Sequence, residues 1–185
     1  MATRKTISMV YGLLLNTYGP QNWWPGDTRF EIMIGAILTQ STSWQNVEKA
    51  IHNLRSANAL SPDSIRKLTD DNLASLIYPS GYYNAKTKKL KALAKFIGEN
   101  FDDDIEAMAN EPQHSIREAL MKVHGIGDET ADSIILYAIG LPAFVIDTYT
   151  KRIFDRLHLS PPENRYSNYR NLFTQNLPKN PKLFN

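Results

Sequence analysis

The 185-residue chain contains no cysteine. It therefore has no disulfide, no zinc knuckle and no thiol nucleophile. Neither sign of charge prevails: 21 Lys and Arg face 19 Asp and Glu, for a formal net charge of +2. Such a balance does not by itself demand a nucleic-acid partner, although a basic groove on one face would be hidden in the total. Long apolar runs are missing as well. Ile32 to Leu38 is far too short to cross a bilayer, and no signal-like apolar run follows Met1-Ala-Thr-Arg-Lys5. A cytoplasmic protein without a membrane partner is expected, nucleoid-associated in a prokaryote. The four histidines show no ligand spacing, so no metal site is expected. No segment alternates with period two over the length of a strand, which argues against a sheet.

What remains is helical periodicity. Ile7, Val10, Tyr11, Leu14 and Leu15 fall at three- and four-residue spacing, as one inward face of a first helix. Phe30 to Gln40 reads as a buried helix. Ser43 is a candidate cap for the next, with Val47, Ala50, Ile51 and Leu54 facing inward. Two short helices are expected near Pro62–Leu68 and Asp71–Ile77, and a break at Pro79-Ser-Gly81 precedes a long helix from Asn84 to Glu99. Its lysines, Lys86, Lys88, Lys89, Lys91 and Lys95, suit a solvated face opposite Leu90, Leu93, Ala94 and Ile97. Pro112 fits the first turn of a helix ending at Val123. Further helices follow over Glu129–Ile139, Asp147–Leu157 and Tyr166–Leu177. The fold class is all-α.

The most informative segment is Val123-His-Gly-Ile-Gly-Asp-Glu-Thr-Ala131, with Asp147 sixteen residues beyond it. Gly125 and Gly127 free the backbone for positive φ and close approach, while Ile126 between them suits a hydrophobic plug. The N–H groups that open the following helix favour an anion such as a DNA phosphate. Gly125, Ile126, Gly127 and Thr130 are thus candidates for a backbone grip that positions but reads no sequence. A Gly-x-Gly turn also simply joins two packed helices. Asp147, after three apolar residues and before Thr-Tyr-Thr-Lys-Arg, is equally a good helix N-cap. The two roles are compatible, because a cap at the mouth of a groove keeps its carboxylate oriented. Breaking an N-glycosidic bond builds positive charge on the sugar, which a fixed carboxylate stabilises.

Leu38-Thr-Gln40, Pro79-Ser-Gly-Tyr-Tyr-Asn-Ala-Lys86, the hairpin and Val145-Ile-Asp147 together resemble the endonuclease III, or helix-hairpin-helix–GPD, superfamily of DNA glycosylases. The resemblance runs from Thr6 to Asn185. It implies a two-lobed fold with the active-site groove between lobes. One lobe would span residues 24–140 and hold the helix-hairpin-helix (113–139). The other would join 1–23 to 141–185 and carry the catalytic Asp147. The resemblance also implies damaged double-stranded DNA as partner, and Gln40 as the residue that enters the gap left by a flipped base. A monomer is expected. Lys151, just beyond Asp147, is a candidate phosphate contact. Bifunctional members carry a lysine two residues after the second hairpin glycine. Here Glu129 occupies that position and cannot act as the amine nucleophile, so a monofunctional enzyme is expected.

Trp23, Trp24 and Trp44 offer π-faces to a flipped base, and an alkylated purine carries a positive charge that such rings attract. The same residues also suit a loop pinned to the core. Asn22-Trp-Trp-Pro25 with Leu38-Thr-Gln-Ser-Thr-Ser-Trp44 most resembles the 3-methyladenine glycosylases of the superfamily, which implies 3-methyladenine-type lesions. Mismatch uracil or thymine and oxidised pyrimidines are the alternatives. A non-catalytic DNA-binding module would keep the hairpin yet need neither Asp147 nor the tryptophans. A helical protein-interaction domain would show no salt-sensitive DNA affinity. Many superfamily members hold an iron–sulfur cluster in a four-cysteine loop. This chain has no ligands for one, so a cluster is expected only if the natural protein extends beyond Asn185, where a truncated last helix is also expected.

Overall fold

A computed structural model describes residues 4–185. The first three residues of the lobe expected to begin at Met1 lie outside them. Twelve α-helices follow in order: α1 (Arg4–Tyr18), α2 (Arg29–Leu38), α3 (Trp44–Ser56), α4 (Pro62–Lys67), α5 (Asp70–Leu76), α6 (Tyr83–Phe101), α7 (Ile105–Ala109), α8 (Gln113–Met121), α9 (Asp128–Ser133), α10 (Thr148–Arg156), α11 (Tyr166–Asn176) and α12 (Pro181–Phe184). A 3-10 turn covers Tyr78–Ser80, and α9 runs on as a π-helical stretch, Ile134–Ile139. Among the described residues there is no strand.

The helix starts follow local chemistry. Thr28, Ser61, Thr69, Asp104 and Asp147 each accept a hydrogen bond from a backbone N–H in the first turn of the helix they cap, and Pro62 opens α4. Ser43 stands at the cap position of α3 without making a side-chain cap bond, and Pro112 precedes α8 by one residue rather than lying inside it.

Apolar side chains gather in two clusters. The larger is built around α2, whose Phe30, Met33, Ile34, Ile37 and Leu38 are all buried, against α3 to α9 and the π segment. The smaller joins Ile7, Ile146, Phe154, Tyr169 and Phe173 from the two ends of the chain. Phe144 borders both, stacked on Phe173 at 3.8 Å and edge-on to Phe184 at 5.2 Å. The segment that leads to Asp147 therefore runs along the seam between the clusters.

Two expectations about faces fail. Only Ile7 of the α1 stripe is buried, whereas Tyr11, Leu14 and Leu15 are exposed. α11 is the principal neighbour of α1 and covers a narrower band than the stripe offers. Lys86, expected on a solvated face, is 1% exposed. Its ammonium donates to the carbonyls of Leu38 (2.8 Å) and Ser80 (2.7 Å), so it closes the C-terminal end of α2. Burial, with help from nearby Lys89, pulls its pKa down to about 8.

Candidate active site

The hairpin forms from the residues the sequence singled out. Gly125 has φ +83°, and an added Cβ there would lie 2.2 Å from Cγ of Lys89. Both conformation and space thus require glycine. Ile126 is 4% exposed and belongs to the main cluster. Gly127 precedes α9 with no side-chain cap, which leaves the first N–H groups of that helix without a side-chain acceptor. Thr130 is buried, and its hydroxyl accepts from Gln40 Nε2 at 2.9 Å. A phosphate contact by Thr130 would therefore come from its backbone.

Gln40 is tied to this hairpin. Its Nε2 also donates to the Gly125 carbonyl (3.1 Å), and its Oε1 accepts from Lys89 Nζ at 2.5 Å. These bonds anchor the end of α2 to the hairpin, and a side chain entering a duplex would have to release them.

Asp147 caps α10, with Oδ1 accepting from the Thr150 N–H at 2.7 Å. Its second oxygen has no hydrogen-bond partner among the described residues. Glu129 lies close enough for the two carboxylates to repel. Burial first, and Asp147 second, raise the Glu129 pKa, while Lys151 acts in the opposite direction. Glu129 is nonetheless exposed by surface area. Protein atoms crowd one side of Glu129 while its other side stays open. Lys151 sits over the Tyr169 ring at 5.7 Å.

The tryptophans come together as one half-buried array. Ring centroids are 5.0 Å apart for Trp23–Trp24, 4.8 Å for Trp23–Trp44 and 5.5 Å for Trp24–Trp44. The Trp24 indole lies against Gly35 of α2, where a Cβ would approach Nε1 to 2.9 Å. Tyr137, which the sequence reading passed over, connects this array to the carboxylate. Its ring is 5.6 Å from Trp24, and burial together with the Asp147 charge pushes its pKa up to about 12. It sits in the π segment, in the run Ile134-Ile-Leu-Tyr-Ala-Ile139, which by composition looks like plain core. A π turn in an α-helix is frequently found at a functional site, and none of this is visible in the apolar pattern. Trp24 and Trp44 also wall a pocket with Glu31, His52 and Arg55 that does not include Asp147.

Residues 34–179 match the family model of the HhH-GPD superfamily base excision DNA repair proteins. The chain belongs to this superfamily. A protein of Methanocaldococcus jannaschii, provisionally named a DNA repair glycosylase, is 45% identical over 179 residues, covering 96% of this chain and 81% of its own. Endonuclease III homolog 1, chloroplastic, of Arabidopsis thaliana is 30% identical over 134 residues, and the match spans 72% of this chain and 33% of that protein. Among solved structures, the H. pylori 3-methyladenine DNA glycosylase MagIII bound to 1,N6-ethenoadenine superposes with a TM-score of 0.80 at 28% identity, covering 95% of this chain and 82% of its own. The matched stretch includes α8, the Gly125–Gly127 turn and α9, which lie within the 113–139 segment expected to form the helix-hairpin-helix.

The iron–sulfur cluster of many superfamily members does not fit the residues present, since the 185 residues offer no thiolate. No three His, Asp or Glu side chains converge as a metal site among the described residues.

Proposed function

We propose that this DNA repair glycosylase of the HhH-GPD superfamily is monofunctional and releases 3-methyladenine-type alkylated purines from double-stranded DNA. Asp147 is its catalytic carboxylate. The observation that carries this reading is that Asp147 acts on both Glu129 and Tyr137, and that the Tyr137 ring contacts Trp24, so the carboxylate adjoins the electron-rich ring array. A cationic base would be attracted by both.

The chemistry is simple for such a lesion. A flipped, positively charged purine leaves with the electron pair of the C1′–N bond and departs neutral, so no acid is needed to protonate it. The sugar takes on positive charge as the bond breaks. The unpaired Asp147 oxygen stabilises that charge, orients the water that adds to C1′ and accepts the proton that this water loses, giving an abasic site. Because its other oxygen is held by Thr150, the carboxylate needs little reorganisation. Glu129 has no amine to attack C1′, so strand cleavage through a Schiff base is not expected. The groove would lie between a lobe of residues 24–140 and one made from the two ends of the chain. The hairpin backbone and Lys151 would hold phosphates, with Gln40 filling the gap in the duplex.

Duplexes carrying 3-methyladenine, 7-methylguanine, uracil or a mismatched thymine test the reading by base release. Release of the methylated purines is expected, with no borohydride-trapped adduct. Preference for uracil or thymine would assign the pocket to mismatched pyrimidines. A trapped adduct with strong β-elimination would contradict the monofunctional assignment. Binding without release of any base would make the chain a DNA-binding module.

A further inference from the structure

Asp132 is a fully buried carboxylate outside the set described so far. It lies on α9 one turn beyond the hairpin, and burying a charge is costly unless partners surround it. Arg117 of α8 provides two of them, with Nε 2.8 Å from Oδ1 and a terminal nitrogen 3.2 Å from Oδ2. The third hydrogen bond comes from Tyr166, the first residue of α11, whose hydroxyl donates to Oδ2 at 2.8 Å, and Arg170 Nε adds a second positive charge 3.9 Å from the same oxygen. That hydroxyl in turn accepts the backbone N–H of Ile146 at 3.3 Å.

Ile146 immediately precedes Asp147 and is 1% exposed. The direction of the relay is fixed. An ionised carboxylate only accepts, so the Tyr166 proton must point to Asp132, and the oxygen lone pairs are left to face the amide. Burial and the Asp132 charge raise the Tyr166 pKa, which keeps that proton in place. Donation also makes the oxygen a better acceptor.

We propose that Tyr166 is a positioning residue. Held by Asp132, it ties the peptide before Asp147 to the second helix of the hairpin and so sets where the Asp147 carboxylate points. The same helix that would seat the DNA backbone thereby fixes the catalytic loop relative to it. This inference rests on the glycosylase reading for its kinetic consequence, though not for its geometry.

Tyr166→Phe removes the hydroxyl and keeps the ring, and Asp132 retains Arg117, so the folded state is expected to persist. The predicted result is a single-turnover rate of base release reduced about ten- to hundredfold, the scale expected for slight misplacement of a catalytic group. Affinity for the lesion duplex should be unchanged, and hydrogen exchange at the Ile146 amide should be accelerated. A merely structural hydroxyl would lower the melting temperature without altering the rate. A wild-type rate in the variant, or wild-type protection of the Ile146 amide, would overturn the proposal. If wild-type protein releases no base while the variant loses Ile146 protection, the glycosylase reading fails and the tether stands.

Discussion

At the scale of single residues, Lys86 and Gly35 have consequences that composition does not suggest. Lys86 ionises at about 8 in the folded chain and near its ordinary value of 10.5 when unfolded. Between those values the unfolded state binds the extra proton, so the contribution of this residue to stability rises with pH. Below about 8 both states carry the proton and the cost of burying the charge is felt in full. Urea unfolding of wild type and Lys86→Met across this range should show the wild type gaining on the variant. Parallel curves would contradict the assignment. Gly35 is mid-helix, where alanine normally stabilises by about 1 kcal/mol. Here the Trp24 indole fills the space. Gly35→Ala is therefore expected to forfeit that gain and to shift tryptophan emission as the array moves, and a full gain with unchanged emission would count against the packing described.

Secondary-structure elements test the hairpin. Gly125→Ala would force a left-handed residue into a space that Lys89 occupies, at a cost of about 1–3 kcal/mol. The loss is measurable by urea unfolding and should be accompanied by weaker, still salt-sensitive DNA binding. Unchanged stability would mean that the turn is looser than it looks. The helices themselves were legible because apolar side chains recur at the helical period and caps mark their starts. α7 escaped, since the five residues Ile105–Ala109 are too few for a period to show, although Asp104 was an available cap signal. The outward side of α1 was misread for a different reason. Periodicity reveals that a helix has an apolar stripe, not how much of it a neighbour covers.

For the whole molecule, legibility divides by sequence distance. The hairpin and the Asp147 cap are local arrangements, and their residue types carried them. The contact of Tyr137 with Trp24 and the path from Asp132 through Tyr166 to Ile146 join elements far apart in the chain. Tyr137 looks like core because it is surrounded by isoleucine, leucine and alanine. The lone Asp132 between Ala131 and Ser133 was the one hint of a buried network. Gln40 drew notice only through the family resemblance, and its bonds to the hairpin required the tertiary structure.

On the proposed reading, a fixed Asp147 carboxylate drives base release on this scaffold. Asparagine caps helices as well as aspartate does, so Asp147→Asn should keep α10 and the fold while removing the charge. Single-turnover release of 3-methyladenine from duplex DNA by wild type and Asp147→Asn is the deciding measurement. Release by the wild type is expected, with a loss of about a hundredfold or more in the variant. Equal rates in the two proteins would contradict it.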